Sequence, residues 1–248
     1  MTTVHVGTDE VGKGPVLGSM FAAAVRVGPG ALPDGVVDSK KLSPSRREEL
    51  AAAIRDCATA TAVVEVPVER IDDPDTDMNG LTVTAHADAL AAVTGDESPD
   101  QTDGFAKETD QRGEESGVTI YLDAADTNAV RFEHRVGKQL DGSLDLRAEH
   151  AADETYPVVA AASILAKVTR DAHVADLAAT YGDVGSGYPG DPTTREFLYE
   201  FVGEQNRLPD CARTSWQTSR DVLAEQGQAA LSDFERDDRR GQRSLSEF

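Results

Sequence analysis

Residues Gly7–Pro15 read GTDEVGKGP, and what this stretch can be decides the fold. It fits the spacing G-x-x-x-x-G-K of a phosphate-binding loop, yet Gly14 stands where that loop needs a hydroxyl for Mg²⁺. Asp9 and Glu10 would also place two negative charges inside a cradle of backbone N–H groups meant for phosphate. The next segment, VLGSMFAAAVRV at Val16–Val27, is β-branched and apolar, so it reads as a strand and not as the helix such a loop requires. Gly12, Gly14 and Gly18 are wrongly spaced for a dinucleotide fingerprint. The remaining reading is a strand, TVHVGT at Thr3–Thr8, that ends on an acidic pair and turns through glycine into a second strand.

Outward from there, helices and strands are interspersed. Pro44–Ala60 begins with proline and carries apolar residues at helical spacing, so a helix is expected. Thr61–Val68 reads as strand, Asn79–Val93 as helix, Gly117–Asp126 as a β-branched strand ending in Asp123, and Leu144–His150 as strand. Pro157–Tyr181 is the longest predicted helix and Pro192–Val202 a shorter one. Gly95–Gly117 holds eight acids against two basic residues and reads as a solvated insertion. Ala229–Phe248 is polar and charged and reads as a mobile tail. No internal repeat is present, and the pattern predicts an α/β architecture around a central sheet.

The 248 residues suffice for one large domain with a small appendage. Lysine and arginine number 24 and acids 45, a net charge of −21, which by itself argues against a polyanionic partner. An acidic surface also keeps a protein soluble in concentrated salt, where a Debye length of about 3 Å removes most long-range repulsion. A halophilic source is the reading favoured here. Cys57 and Cys211 match no metal spacing or disulfide framework. No signal peptide or spanning segment is read, so a cytoplasmic protein is expected.

The acids carry the chemistry. Neighbouring strand residues point to opposite faces, so Asp9 and Glu10 can share a site only if the strand ends there, as Gly12 and Gly14 allow. An acidic pair at such a place suits a hard cation, Mg²⁺ or Mn²⁺; among 45 acids the competing reading is a solvated turn. Asp123 ends a buried-looking strand, where α/β sites are built, while Asp126 is read as fixing the following turn. Ser163, Lys167 and Asp171 recur at i, i+4 and i+8 along one helix face, which equally describes an ordinary polar stripe.

Five motifs in order remove the ambiguity: DEVGKGP, DSKKLS at Asp38–Ser43, YLDAAD, AEHAADETYPVVAAASILAKVTRD at Ala148–Asp171, and GSGYPGDP at Gly185–Pro192. Together they closely resemble the archaeal ribonucleases HII, members of the type 2 ribonuclease H family. The resemblance runs from Thr3 to about Trp216, interrupted by the acidic insertion. It implies a ribonuclease H-like fold, a central mixed sheet flanked by helices, as a catalytic domain over 1–216. A small C-terminal helical region and tail would occupy 217–248. It further implies hydrolysis of the RNA strand of RNA–DNA hybrids and incision at ribonucleotides embedded in duplex DNA, leaving 5′-phosphate and 3′-hydroxyl ends. The family's metal-binding carboxylates fall on Asp9, Glu10, Asp123 and Asp171, which would hold two Mg²⁺ or Mn²⁺ ions about 3.5–4 Å apart. Asp, not Glu, at 171 favours type HII over HIII.

In the family, backbone groups of the glycine motif contact ribose and phosphate, and a tyrosine packs by the sugar at the ribonucleotide junction. Here those residues are Gly12, Lys13, Gly14 and Tyr188. Many relatives carry Arg at position 13, and Lys keeps the charge without the bidentate fork. Lys40, Lys41 and Lys167 are read as phosphate-facing. His5, His86, His134, His150 and His173 match no catalytic position of the family and are read as structural or exposed. The terminus QRSLSEF resembles a sliding-clamp docking peptide, with Gln242, Leu245 and Phe248 at i, i+3 and i+6. A monomer is expected. The competing functional readings are another metal-dependent nuclease of this fold and a noncatalytic clamp-associated nucleic-acid binder.

Overall fold

The alternating residues at the start of the chain form β1, His5–Val11, the central strand of a five-stranded sheet. In the computed structural model, which describes residues 4–36, 42–95, 118–142 and 144–228, the strand order is β3-β2-β1-β4-β5. The other strands are β2 (Met20–Val27), β3 (Ala60–Val66), β4 (Thr119–Asp123) and β5 (Asp145–Glu149). β1, β2 and β3 pair antiparallel, whereas β1, β4 and β5 pair parallel, so the sheet is mixed. The helices are α1 (Pro44–Cys57), α2 (Val68–Ile71), α3 (Met78–Thr94), α4 (Ala129–Gly137), α5 (Ala152–Thr155), α6 (Pro157–Tyr181), α7 (Pro192–Gln205) and α8 over 217–228. Polar side chains start several of them: Ser43, Asp77, Asn128 and Asp191 each accept from backbone N–H groups of the first turn.

These elements belong to two compact units. The first comprises Met1–Lys13, Met20–Val66 and Asp77–Arg170; the second comprises Gly14–Ser19, Pro67–Thr76 and Asp171–Phe248. In the first unit the strand period sorts side chains onto two apolar layers. Val6, Ala24, Ile120 and Leu122 face α3 and α4, meeting Val83, Leu90, Phe132 and Val136. Ala23, Val25 and Val27 face α1 and α6, meeting Leu50, Ile54, Val159 and Ile164. The second unit has its own core of Val16, Leu17, Val184, Phe197, Leu198 and Val202. There the fully buried Arg213 donates from Nε to the Gly18 carbonyl at 2.9 Å, and its guanidinium lies 4.8 Å from the Trp216 ring centre.

Two expectations change. The strand after the glycine turn begins at Met20, not at Val16. Val16 and Gly18 instead donate to the Gly187 and Cys211 carbonyls, and Leu17 bridges to Ala212, so this apolar run is used by the second unit's core. The first strand also does not end before the acidic pair: Asp9, Glu10 and Val11 continue the ladder opposite Ala23, Ala22 and Phe21. The insertion at Gly95–Gly117 and the tail at Ala229–Phe248 lie outside the described residues except for Gly95. Among the described residues no helix is long and apolar enough to cross a membrane.

β1 and α6 meet at Gly7. A Cβ built there would stand 2.5 Å from the Val158 carbonyl carbon and 2.6 Å from the Val159 nitrogen. These are backbone atoms, which no rotamer change can move. Gly7→Ala is therefore expected to lower stability by at least the roughly 1–3 kcal/mol of ordinary overpacking. Thermal melting checks this; a melting temperature equal to that of the unsubstituted chain would show that strand and helix can part at little cost.

Candidate active site at the sheet edge

Parity and register deliver the acids. His5, Gly7, Asp9 and Val11 point to the α6 face of the sheet, and Val6, Thr8 and Glu10 to the α3 face. β1 pairs with β4 from His5↔Thr119 to Thr8↔Leu122, so the next residues on, Asp9 and Asp123, stand level at the ends of adjacent parallel strands. Asp9 and Asp123 thus share the α6 face, with Glu10 beside them on the other.

Asp9 is buried, with 6 % of its surface exposed. Burial pushes its carboxyl well above the ordinary aspartate range, and the charges of Glu10 and Asp123 push the same way. A hydrogen bond with Ser163 and the positive charge of Lys167 oppose the shift. Lys167 Nζ itself donates to Ser163 Oγ at 2.8 Å, so one face of α6 supplies a lysine–serine relay to this carboxyl. Asp9 Oδ1 also accepts the Glu10 N–H at 2.8 Å.

Asp123 is raised too, chiefly by burial, with Glu10 and Asp153 adding to the effect. The Ala152 N–H donates to Asp123 Oδ1 at 2.7 Å and holds it at the start of α5. Ala151, which precedes that helix, is left-handed at φ 54°. Asp126, read from sequence as a turn residue, accepts from the Asn128 N–H and from Arg131 Nε and Nη2 at 3.0 and 2.5 Å. The Arg131 hydrogen bond is the main reason its carboxyl is held down to about 2.

Glu10 has a partner that sequence reading set aside. His86 of α3 is fully buried, with Nε2 2.9 Å from Glu10 Oε2 and Nδ1 3.3 Å from Thr8 Oγ1. Asp153 was missed as well: it is 5 % exposed and adds its charge at Asp123. A signal for His86 did exist, since Thr82 and His86 are polar residues at i and i+4 in a helix whose buried face is otherwise apolar.

The remaining expected residues are distributed as follows. Lys13 Nζ donates to Asn79 Oδ1 at 2.9 Å and to the Ala125 carbonyl at 2.7 Å. Gly12 has φ 88°, a left-handed turn that favours glycine. In the second unit, a Cβ on Gly14 would lie 3.8 Å from Tyr188 Cε1, so glycine loop and tyrosine adjoin, with Tyr188 43 % exposed. The Gly14 carbonyl accepts from Trp216 Nε1 at 3.2 Å. Asp171 is an exposed residue of α6 within the second unit. Lys40, Lys41, Gln242, Leu245 and Phe248 lie outside the described residues.

These carboxylates are hard oxygen donors suited to Mg²⁺ or Mn²⁺. Glu10 and Asp123 lie close enough to raise the proton affinity of Asp9, and Glu10 close enough to raise that of Asp123. Among the described residues, however, no three His, Cys, Asp or Glu side chains converge tightly enough to hold one ion as they stand. The donor set fits a divalent cation in chemistry and in electrostatic need.

The chain is similar to known proteins over most of its length. Residues 6–219 match the family model of ribonuclease HII. The chain is 54 % identical to the ribonuclease HII of the halophilic archaeon Haloarcula marismortui, over 93 % of this chain and all of that one. Among solved structures, the ribonuclease H2 of Pyrococcus horikoshii superposes with a TM-score of 0.77 at 32 % identity, covering 90 % of this chain and 99 % of that one. The ribonuclease HII of Archaeoglobus fulgidus, solved as a complex with PCNA, gives 0.71 at 35 % identity over 86 % and 95 % of the two chains.

A carboxyl whose pKa is raised on folding costs stability when it ionises. That cost is absent below the ordinary value of 3.8, grows as pH rises, and is complete above the raised folded value. Asp9→Asn removes the charge and keeps the oxygen that accepts from Glu10. In EDTA and molar salt this variant is expected to melt higher than the parent at neutral pH, by about 2–4 °C for each kcal/mol relieved. Near pH 3 the gain should vanish. Melting curves from pH 3 to 8 decide it; no gain at neutral pH would mean that Asp9 sits there without strain.

Proposed function

The chain belongs to the ribonuclease HII family, and from that premise we propose that it hydrolyses the RNA strand of RNA–DNA hybrids and incises at single ribonucleotides embedded in duplex DNA. It is a type 2 ribonuclease H, a hydrolase. The observation that best supports the finer reading is Asp9: a buried carboxyl of raised proton affinity, level with Asp123 and accepting the backbone N–H of Glu10. A protein gains nothing in stability from such a cluster; its use is to receive positive charge.

In this reading Asp9, Glu10, Asp123 and Asp171 hold two divalent cations, Mg²⁺ or Mn²⁺. When bound, such a pair activates water on one side of the scissile phosphate and stabilises the leaving oxygen on the other. The chain's own residues do the rest. Ser163, backed by Lys167, orients the Asp9 carboxyl. The Ala152 N–H keeps Asp123 turned to its place. Backbone groups of Gly12, Lys13 and Gly14, with Tyr188, read the ribose and its flanking phosphates, because the 2′-hydroxyl is what tells RNA from DNA at one nucleotide. Lys13, Lys40, Lys41 and Lys167 supply local positive charge toward phosphate, and concentrated salt screens the net −21. The products carry 5′-phosphate and 3′-hydroxyl ends.

We further propose that residues 1–216 form the catalytic domain and 217–248 a C-terminal helix and tail. Gln242, Leu245 and Phe248 would dock on a sliding clamp; the Archaeoglobus relative solved with PCNA supports an association of this kind. The enzyme is proposed to act as a cytoplasmic monomer.

A duplex containing one ribonucleotide should be cut on its 5′ side or 3′ side at that nucleotide only, with Mg²⁺ or Mn²⁺ and not in EDTA. Asp123→Asn should lower cleavage on the order of a thousandfold or more while hybrid binding persists. Retained cleavage would remove Asp123 from the site. Deleting 242–248 should leave cleavage of a free duplex unchanged and abolish co-elution with the clamp; continued co-elution would place docking elsewhere.

A further inference from the structure

α3 presents an apolar face to β1, β2 and β3, with Leu90, Val83 and Ala87 among its buried residues. His86 interrupts that face at zero exposure. Burying an imidazole in such surroundings is unfavourable unless both nitrogens are satisfied. β1 satisfies them from two residues of the same face, Thr8 and Glu10, at 3.3 and 2.9 Å. Thr8 Oγ1 is itself tied to the Ala23 carbonyl at 2.8 Å, and Phe132 stands edge-on to the ring at 5.1 Å and 88°. The ring is thus held at Nε2 by Glu10, with Thr8 Oγ1 beside Nδ1 and Phe132 against one side.

A histidine that served only the core would be expected to bond a backbone carbonyl. This one bonds a carboxylate from another element at the sheet edge, whose side chain is 13 % exposed. A carboxylate only accepts, so Nε2 carries the hydrogen of this bond. Glu10 Oε2 is thereby committed, and a side chain with three rotatable bonds is fixed before any cation arrives.

We propose that His86 is a positioning residue for Glu10: it fixes one carboxylate oxygen, so that Glu10 meets a divalent cation with the other in a set orientation. This rests on the reading of Glu10 as a cation ligand. Partners of this kind set ligand geometry, and losing one typically weakens metal affinity 10–100-fold.

The test uses the full-length chain in molar KCl, with Mn²⁺ binding followed through the EPR signal of the free ion and folding followed by thermal melting. His86→Phe keeps the ring volume and removes both nitrogens. His86→Gln can set its amide nitrogen near the Nε2 position and donate to Glu10. The expected result is affinity about tenfold or more weaker in His86→Phe, and within about threefold of the parent in His86→Gln. Unchanged affinity in a folded His86→Phe overturns the proposal, as does equal loss in both variants. Should His86→Phe not fold, His86→Asn replaces it, since its shorter amide reaches toward Thr8 and not Glu10. Gln then retains affinity and Asn loses it, and equal affinities overturn the proposal. A parent protein that binds no Mn²⁺ would sink the cation reading itself and this inference with it, whereas a parent that binds normally isolates the role of His86.

Discussion

The backbone contact between β1 and α6 at Gly7 is the constraint on which the first unit depends. Only a residue without Cβ allows Val158 this close to the strand. The same face of β1 carries Asp9 two residues later, and α6 brings Ser163 and then Lys167 along its own face. Distance along the helix and distance along the strand are thereby coupled. The relay from Lys167 through Ser163 to Asp9 exists because strand and helix touch without a side chain between them.

The sheet then divides the acids by parity. Asp9 and Asp123 emerge on the α6 face, where burial raises both, with Glu10 and Asp123 adding at Asp9 and Glu10 and Asp153 at Asp123. Glu10 emerges on the α3 face and is met by His86. Each carboxylate is therefore held by a different element: α6 for Asp9, the start of α5 for Asp123, α3 for Glu10. A cluster of like charges would fly apart on flexible loops. Here rigid elements on both sides hold the three in mutual range, and in the proposed function the electrostatic cost this stores is what a bound cation would relieve.

Much of this was legible beforehand, for reasons particular residues make plain. The prolines that open α1, α6 and α7 are local signals, and each helix starts at its proline; the alternation of β1 marks a strand, though one that runs on to Val11. The ladder through Asp9 and Glu10 was not legible, because its cause is the small apolar strand Met20–Val27 pairing opposite, and no local feature of DEV announces it. The true start of β2 was hidden for the same reason: Val16 and Leu17 are apolar for a different core. α4 went unread because AVRFEHRVG follows so closely on the strand ending in Asp123, although Asn128 caps it and Phe132 and Val136 anchor it. His86 was dismissed by matching it against the family's catalytic positions, a comparison that is silent about what holds those positions in place.

Salt sharpens the distinction between surface and site. Most of the acids among the described residues are exposed, and exposed pairs such as Arg46–Glu49 contribute little where the Debye length falls to about 3 Å. Asp9 and His86 are withdrawn from solvent, so ions outside screen their interactions far less. The same concentrated salt that quiets repulsion between an acidic surface and a nucleic acid therefore leaves the repulsion inside the acid cluster largely intact. If the acid cluster holds cations as proposed, its drive to accept them survives conditions that erase the surface field, and the chain can be acidic overall without surrendering the electrostatics of its site.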